Sequence, residues 1–134
     1  MTWLQRIVLG TRVLLGLVFF ITGIIGLLGL APLPTNTQAA ANFIAALRQT
    51  GYLFTTVMGV QLFCGAMLIL GFFVPLMLLL LAPIVVNILL YQALLDPTPV
   101  GMMLGIVPLV LEVLLAFFYR QAFLALLQAR APIS

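Results

Sequence analysis

The chain has 134 residues, of which 66% are hydrophobic and 5% are charged, with a net charge of +3 and no histidine. A soluble domain of this size needs more polar residues on its surface than this chain contains. The composition therefore predicts an integral membrane protein. The few basic residues form no cluster that could bind a nucleic acid, and a single Cys64 without histidine predicts no metal, haem or disulfide site.

Four apolar stretches are long enough to cross a bilayer core of about 30 Å, which needs about 20 helical residues. They cover about residues 11–30, 52–72, 76–95 and 101–119. A short break at 71–75, with a proline suited to the first turn of a helix, predicts a tight antiparallel hairpin between the second and third spans. The predicted fold class is all-α, a single transmembrane domain over 1–134 built as a four-helix bundle.

The first span contains its own packing and termination signals. Small residues let membrane helices approach closely, and here they are Gly16, Gly23 and Gly26. Pro32 and Pro34 are expected to stop the helix.

The loop after the first span has the pattern of a short amphipathic helix over about residues 36–50. Thr35 followed by Gln38 resembles a capping box at its start. The apolar residues that recur at helical spacing are Ala40, Phe43, Ile44 and Leu47. We expect this helix to lie on the outer membrane face as an anchor or lid, with substrate gating as the alternative.

The arginines indicate the orientation of the bundle. Arg6 and Arg12 precede or begin the first span, Arg120 and Arg130 follow the last, and the two opposite loops contain only Arg48. Because short cytoplasmic loops carry the excess of basic residues, both termini are predicted to be cytoplasmic.

Three polar side chains occur well inside the spans, where lipid cannot satisfy their hydrogen bonds. Gln61, Asn87 and Glu112 lie about 12–16 Å below the outer ends of their helices, at about 1.5 Å per residue. We therefore predict a buried polar layer or ligand-binding site at this depth. Cys64 and Tyr91 lie on the same helix faces as Gln61 and Asn87 and are included in it.

Two interpretations of this layer remain open. A protonated Glu112 could donate a hydrogen bond to Asn87 or Gln61 and so fix the helix packing. Alternatively, Glu112 binds a ligand or handles protons, because an ionisable group inside the membrane is a functional candidate. Cys64 is expected to be a small packing residue, and no residue is assigned a catalytic role.

A second polar group is predicted at the outer mouth of the bundle. Gln92 follows Asn87 by five residues, so it points about 140° away around the helix and is expected to reach the outer headgroup layer. Asp96 stands where two prolines end the helix, and it could act together with Arg48.

Several segments resemble the DoxX family of small four-helix membrane proteins. They are TRVLLGLVFFITGIIGL, ALRQTGYLF, VQLFCGAMLILGFFVPLMLLLLAPIVVNILLYQALLDP and LEVLLAFFYRQAF. The resemblance extends over about residues 11–123, and its most specific parts are LAPIVVNILL followed by LLDP, and the LExxLAxxYR pattern. It implies a four-span bundle in a bacterial inner membrane, in a family with members that are subunits of oxidoreductase complexes, including thiosulfate:quinone oxidoreductase.

The chain departs from this family pattern at three places. It has Gln61 where many relatives carry a glutamate, Gln92 where many have a histidine, and Ile25 and Gly26 near a usual lysine. Each departure replaces an ionisable group by a neutral one, which weakens the case for proton-coupled redox chemistry by this chain alone.

Three functions are therefore compared. The favoured one is a non-catalytic subunit, or a bundle that binds a small apolar molecule such as a quinone or lipid. The alternative is a component of a quinone-linked oxidoreductase complex that uses Glu112 for proton handling, with its redox centre supplied by a partner or a bound cofactor, because the sequence encodes none. A transporter is least favoured because the spans offer almost no charge. The expected partners are the lipid bilayer, a membrane or peripheral redox protein, and further copies of the chain.

Overall fold

The computed structural model describes residues 2–30 and 35–127, and every regular element in these ranges is helical. In chain order the helices are α1 (Trp3–Leu28), α2 (Gln38–Gln49), α3 (Leu53–Leu70), α4 (Val74–Leu90) with a π-helical turn (Tyr91–Leu95), α5 (Pro99–Phe118) and α6 (Arg120–Leu126). Four of them, namely α1, α3, α4 with its π turn, and α5, are long and apolar enough to cross a membrane. The predicted all-α class with four spans and a short helix in the first long loop is confirmed, whereas Pro32, Pro34 and Arg130 lie outside the described residues.

Helix α1 begins about two turns earlier than the predicted first span. The hydroxyl of Thr2 accepts a hydrogen bond from the Gln5 backbone N–H, and the Gln5 side chain accepts one from the Thr2 N–H. This capping box starts the helix at Trp3. Hydropathy missed this start because Gln5 and Arg6 make the first turns polar, although they are helical.

Helix α2 also begins at a different residue from the one predicted. Its N-cap is Thr37, not Thr35: the Thr37 hydroxyl accepts a hydrogen bond from the Ala40 N–H and donates one to the Leu95 carbonyl. This second bond joins the start of α2 to the π turn. The hydrogen bond to the Leu95 carbonyl, a contact between distant parts of the chain, favours Thr37 as the N-cap. The local sequence around α2 contains no sign of this contact.

The hairpin between α3 and α4 is tight. Gly71 has a φ of 85° and its N–H donates to the Met67 carbonyl, which ends α3 in a left-handed cap. Phe73 is also left-handed, with a φ of 53°, and a proline occupies the first turn of α4. The two helices consequently run antiparallel with three residues between them.

The four spans close into a ring in which α1 packs on α3, α3 on α4, α4 on α5, and α5 on α1. The side chains that fill its centre are at most 1% exposed, and they are Leu15, Phe19, Cys64, Leu68, Leu78, Leu81, Val85 and Leu115. The core is thus built from all four spans and is almost wholly apolar.

The approach of α1 to α3 depends on glycine. A Cβ atom at Gly16 would lie 2.8 Å from the Gly65 carbonyl oxygen, and one at Gly65 would lie 2.5 Å from the Phe20 nitrogen. At Gly23 it would lie 2.8 Å from the Leu62 nitrogen. The backbones of α1 and α3 are therefore in close contact, which small residues make possible in membrane helices.

Candidate functional site

Gln61 lies inside the bundle and has a partner on the neighbouring helix. It is 4% exposed, and its Oε1 accepts a 3.0 Å hydrogen bond from the Thr22 hydroxyl of α1. The same hydroxyl lies 3.2 Å from the Phe19 carbonyl, to which it can also donate. Gln61 is therefore held by α1, which leaves its Nε2 as a donor with no side-chain hydrogen bond recorded within the described ranges.

Glu112 is also buried, but its carboxyl group is not fully paired. It is 7% exposed, and its Oε1 has no hydrogen-bond partner among residues 2–30 and 35–127. It belongs to the inward face of α5, which consists of Gly101, Gly105, Pro108, Glu112 and Leu115. Cys64 is fully buried in the same interior. The structure thus brings Gln61, Cys64 and Glu112 into the bundle.

Asn87 does not join them, which corrects the predicted three-residue layer. Its side chain is exposed on the outward face of α4. The buried face of α4 is formed instead by Val74, Met77, Leu78, Leu81 and Val85. Because α4 is apolar on every side, its hydrophobic pattern could not show which face is inward. The prediction relied instead on Asn87, whose polar amide was expected to face the interior.

Gln92 is partly buried, unlike the exposed Asn87. Its Oε1 is buried without a partner in the described part of the chain, and a Cβ atom at Gly101 would lie 3.0 Å from its amide carbon. The side chain therefore packs against the start of α5. Because Gln92 follows Asn87 by five residues, it lies on the side of the helix away from the exposed Asn87, which is here the side that faces α5.

The remaining outer-mouth residues do not form the Asp96–Arg48 pair that the sequence suggested. Asp96 is 2% exposed and accepts hydrogen bonds from the backbone N–H and the side-chain amide of Asn36, at 3.0 and 3.4 Å. The Arg48 guanidinium lies over the Phe54 ring, 4.1 Å from its centroid. These contacts, with the Thr37 bond to Leu95, hold α2 against the outer end of the bundle.

Tyr91, which the sequence placed in the polar layer, lies at this outer end. Its ring centroid is 5.5 Å from that of Phe43 on α2. The residue therefore helps to seat α2 against the outer end of the bundle.

The sequence did not reveal a groove at the opposite, inner end of the bundle, between the beginning of α1 and the end of α5. This inner groove has a volume of about 360 Å³ and is lined by Leu4, Gln5, Val8, Leu9, Arg12, Phe118 and Tyr119. Its walls come from the two ends of the chain, so no local motif could indicate it. The one signal was Arg12, a charge inside the predicted bounds of the first span.

Arg12 is the charged residue of the inner groove, and part of its guanidinium is buried. Its Nε has no hydrogen-bond partner among residues 2–30 and 35–127. Its Nη1 lies close to Gly71, because a Cβ atom added to that glycine would be only 2.9 Å away from it. The guanidinium therefore packs against the end of α3. Of the two acidic residues, Asp96 is at the outer end and Glu112 has its own unpartnered oxygen, so the described residues give Arg12 no counter-charge.

The described ranges contain no group of three or more histidine, cysteine, aspartate or glutamate side chains that could hold a metal ion. In comparisons with known proteins, the family model for DoxX matches residues 7–93, which cover most of the first three spans and the loop with α2. The LExxLAxxYR pattern lies beyond the matched residues. The chain matches no curated protein and no solved structure.

Proposed function

This chain belongs to the DoxX family, and on that basis we propose that it is a non-catalytic membrane protein that binds an amphiphilic molecule, a lipid or a quinone, in the inner groove. The sequence favoured such a ligand near Gln61, Asn87 and Glu112. The exposed position of Asn87 and the open groove beside Arg12 favour the inner end instead.

The observation that carries this proposal is Arg12, which lines an open groove and whose Nε has no hydrogen-bond partner among residues 2–30 and 35–127. A guanidinium only donates hydrogen bonds, so its ligand must offer an acceptor. The phosphate of a lipid headgroup satisfies this requirement best, since it also supplies the missing negative charge and can accept two parallel bonds. A quinone carbonyl is an acceptor too, but it carries no charge.

The other residues of the inner groove suit the rest of such a molecule. Leu4, Val8 and Leu9 provide an apolar wall from the beginning of α1. Phe118 and Tyr119 close the groove from α5, and aromatic rings are frequent at the headgroup level of membrane proteins. The inner groove thus combines the Arg12 guanidinium with apolar and aromatic lining, which are the two kinds of contact that an amphiphile makes.

The orientation of the chain belongs to the same proposal. Arg6 and Arg12 in α1 and Arg120 after α5 lie at one end of the bundle, and by the positive-inside rule this supports a cytoplasmic location for that end. The cytoplasmic leaflet is also the one rich in anionic lipids. The family resemblance supports the inner membrane of a bacterium, with a membrane or peripheral redox protein as partner.

A thermal-shift assay in detergent tests the proposal, with an anionic phospholipid, a zwitterionic phospholipid and a ubiquinone as separate additions. We expect the anionic lipid to raise the melting temperature of the wild type, since a ligand that binds only the folded state stabilises it by mass action. Arg12→Gln should lose this shift. Absence of a shift with every addition would overturn the proposal.

Arg120→Gln is the matched control, because it removes one charge from the same end. Arg120 donates to the Phe117 carbonyl at 3.2 Å and lies over the Phe117 ring, so its contacts are already supplied by the protein. This variant should keep the lipid-induced shift. Equal losses in Arg12→Gln and Arg120→Gln would indicate only a diffuse effect of net charge.

A second candidate function rests on a different residue. The unpartnered Oε1 of the buried Glu112 is an acceptor, and the same group is a donor when it is protonated. Such a group suits an oxygen atom of a quinone or quinol. Glu112 would then handle protons in a quinone-linked complex, the redox centre being supplied by a partner or a bound cofactor.

This second candidate has its own test. A purified complex should show a flavin, haem or quinone spectrum, and Glu112→Gln should impair respiratory growth without lowering the amount of protein in the membrane. Normal growth of Glu112→Gln together with a complex that lacks all three spectra would eliminate it.

A further inference from the structure

The outward face of α4 presents a polar group to the bilayer. Asn87 is exposed there, in a groove of about 530 Å³ whose other lining residues are Leu79, Ala82, Pro83, Val86 and Leu90. Every one of these neighbours is apolar. The Asn87 amide is therefore the sole polar side chain in this groove, which lies within the described part of the chain.

The depth of Asn87 makes this exposure costly. It precedes the outer end of the span at Leu95 by eight residues, or about 12 Å at about 1.5 Å per residue. An asparagine side chain is too short to reach the headgroups over that distance. Lipid tails offer no hydrogen bond, and the amide makes none to another described residue, so something else must cover it in the membrane.

We propose that this face of α4 is the interface with a second copy of the chain, in which the two Asn87 amides hydrogen-bond to each other. A twofold axis along the membrane normal brings the same residue of both copies to the same depth. An amide has both donors and an acceptor, so two facing asparagines satisfy each other without a different partner. Such polar contacts are a known cause of helix association in membranes.

The rest of the face allows close approach. Ala82 and Pro83 have small side chains next to the amide, and the groove contains no charged residue that would repel its own copy. The inner groove is formed by α1 and α5, so neither groove shares a residue with the other. The proposed dimer and the proposed ligand site can consequently fail independently.

Disulfide crosslinking in native membranes tests the proposal. In a Cys64→Ala background, Val86→Cys places a thiol in the α4 groove and leaves Asn87 intact. Val113→Cys places one at a comparably exposed position on α5, since Val86 is 49% and Val113 is 60% exposed. We expect Val86→Cys to form a disulfide-linked dimer and Val113→Cys to form little. Equal crosslinking at both positions, or none at Val86→Cys, would overturn the proposal.

The amide itself is tested without the cysteine background, by fluorescence energy transfer between labelled copies diluted in liposomes. Asn87→Leu should raise the dissociation constant of the dimer about three- to thirtyfold, the range given by typical interhelical hydrogen bonds, and Asn87→Gln should restore part of the affinity. A wild type that stays monomeric at every protein-to-lipid ratio, or an Asn87→Leu variant that dimerises as well as the wild type, would contradict the inference.

Discussion

The Thr22 hydroxyl on α1 donates a 3.0 Å hydrogen bond to the side-chain oxygen of Gln61 on α3, beside the glycine contacts that bring these two helices together. A polar group in the core is thereby satisfied by the nearest helix and does not require Glu112. The clasp that the sequence suggested between three spans is, in the structure, a bond between two of them.

Thr22→Val should lower the free energy of unfolding by about 0.5–1.5 kcal/mol, because it leaves the buried Gln61 oxygen without its donor. Unfolding in mixed micelles, followed by loss of helicity, measures this change. Thr56→Val is the control, since Thr56 is exposed and its side chain makes no hydrogen bond to another described residue. Equal stability of Thr22→Val and wild type would show that the bond contributes nothing.

Gly65→Ala should destabilise the bundle by about 1–3 kcal/mol, because the new methyl group meets the Phe20 backbone. Gly59→Ala, on the same helix, should have no such cost, since a Cβ atom there meets nothing within 4 Å. The same unfolding assay compares the two variants. Equal stability of the two alanine variants would contradict the close packing of α1 against α3 at Gly65.

Glu112→Leu should leave stability unchanged or raise it, because it removes a buried carboxyl oxygen that has no partner in the described residues. Gln61→Leu should be less stable than Glu112→Leu, because it removes the hydrogen bond that joins α3 to the Thr22 hydroxyl of α1. Melting temperatures of the two purified variants distinguish these effects. Failure of Glu112→Leu to accumulate in the membrane would instead indicate a structural role for the carboxylate.

Asp96→Ala should loosen α2 from the bundle, because the Asn36 backbone and side-chain amides both donate to this buried carboxylate. Amide hydrogen exchange over residues 38–49 should therefore become faster. Arg48→Gln is the comparison, and its smaller effect follows from a cation–π contact at the surface, which contributes about 0.5–1 kcal/mol. Unchanged exchange in Asp96→Ala would mean that α2 is held by its apolar contacts alone.

The sequence predicted the spans well because their length and hydropathy are set by the thickness of the bilayer. It also identified Gly16 and Gly23, since small residues mark close packing in membrane helices. It did not find the early start of α1, where a capping box operates in a polar segment. The inner groove escaped it as well, because that groove exists only when the ends of α1 and α5 lie together.

Asn87 and Gln92 show a different kind of limit. Their spacing correctly predicts that they lie on different sides of the helix, but the structure exchanges the two sides: Asn87 is outward and Gln92 packs against α5. A helix that is apolar on every side has no hydrophobic pattern from which its inward face could be identified. Relative positions along one helix were thus predictable, and the inward face was not.

Native mass spectrometry of the protein extracted from its own membrane tests the account most directly. It should show the wild type and Arg120→Gln each retaining an anionic lipid that Arg12→Gln has lost. Equal retention by all three proteins, or no retained lipid in the wild type, would contradict the assignment of the inner groove as a binding site.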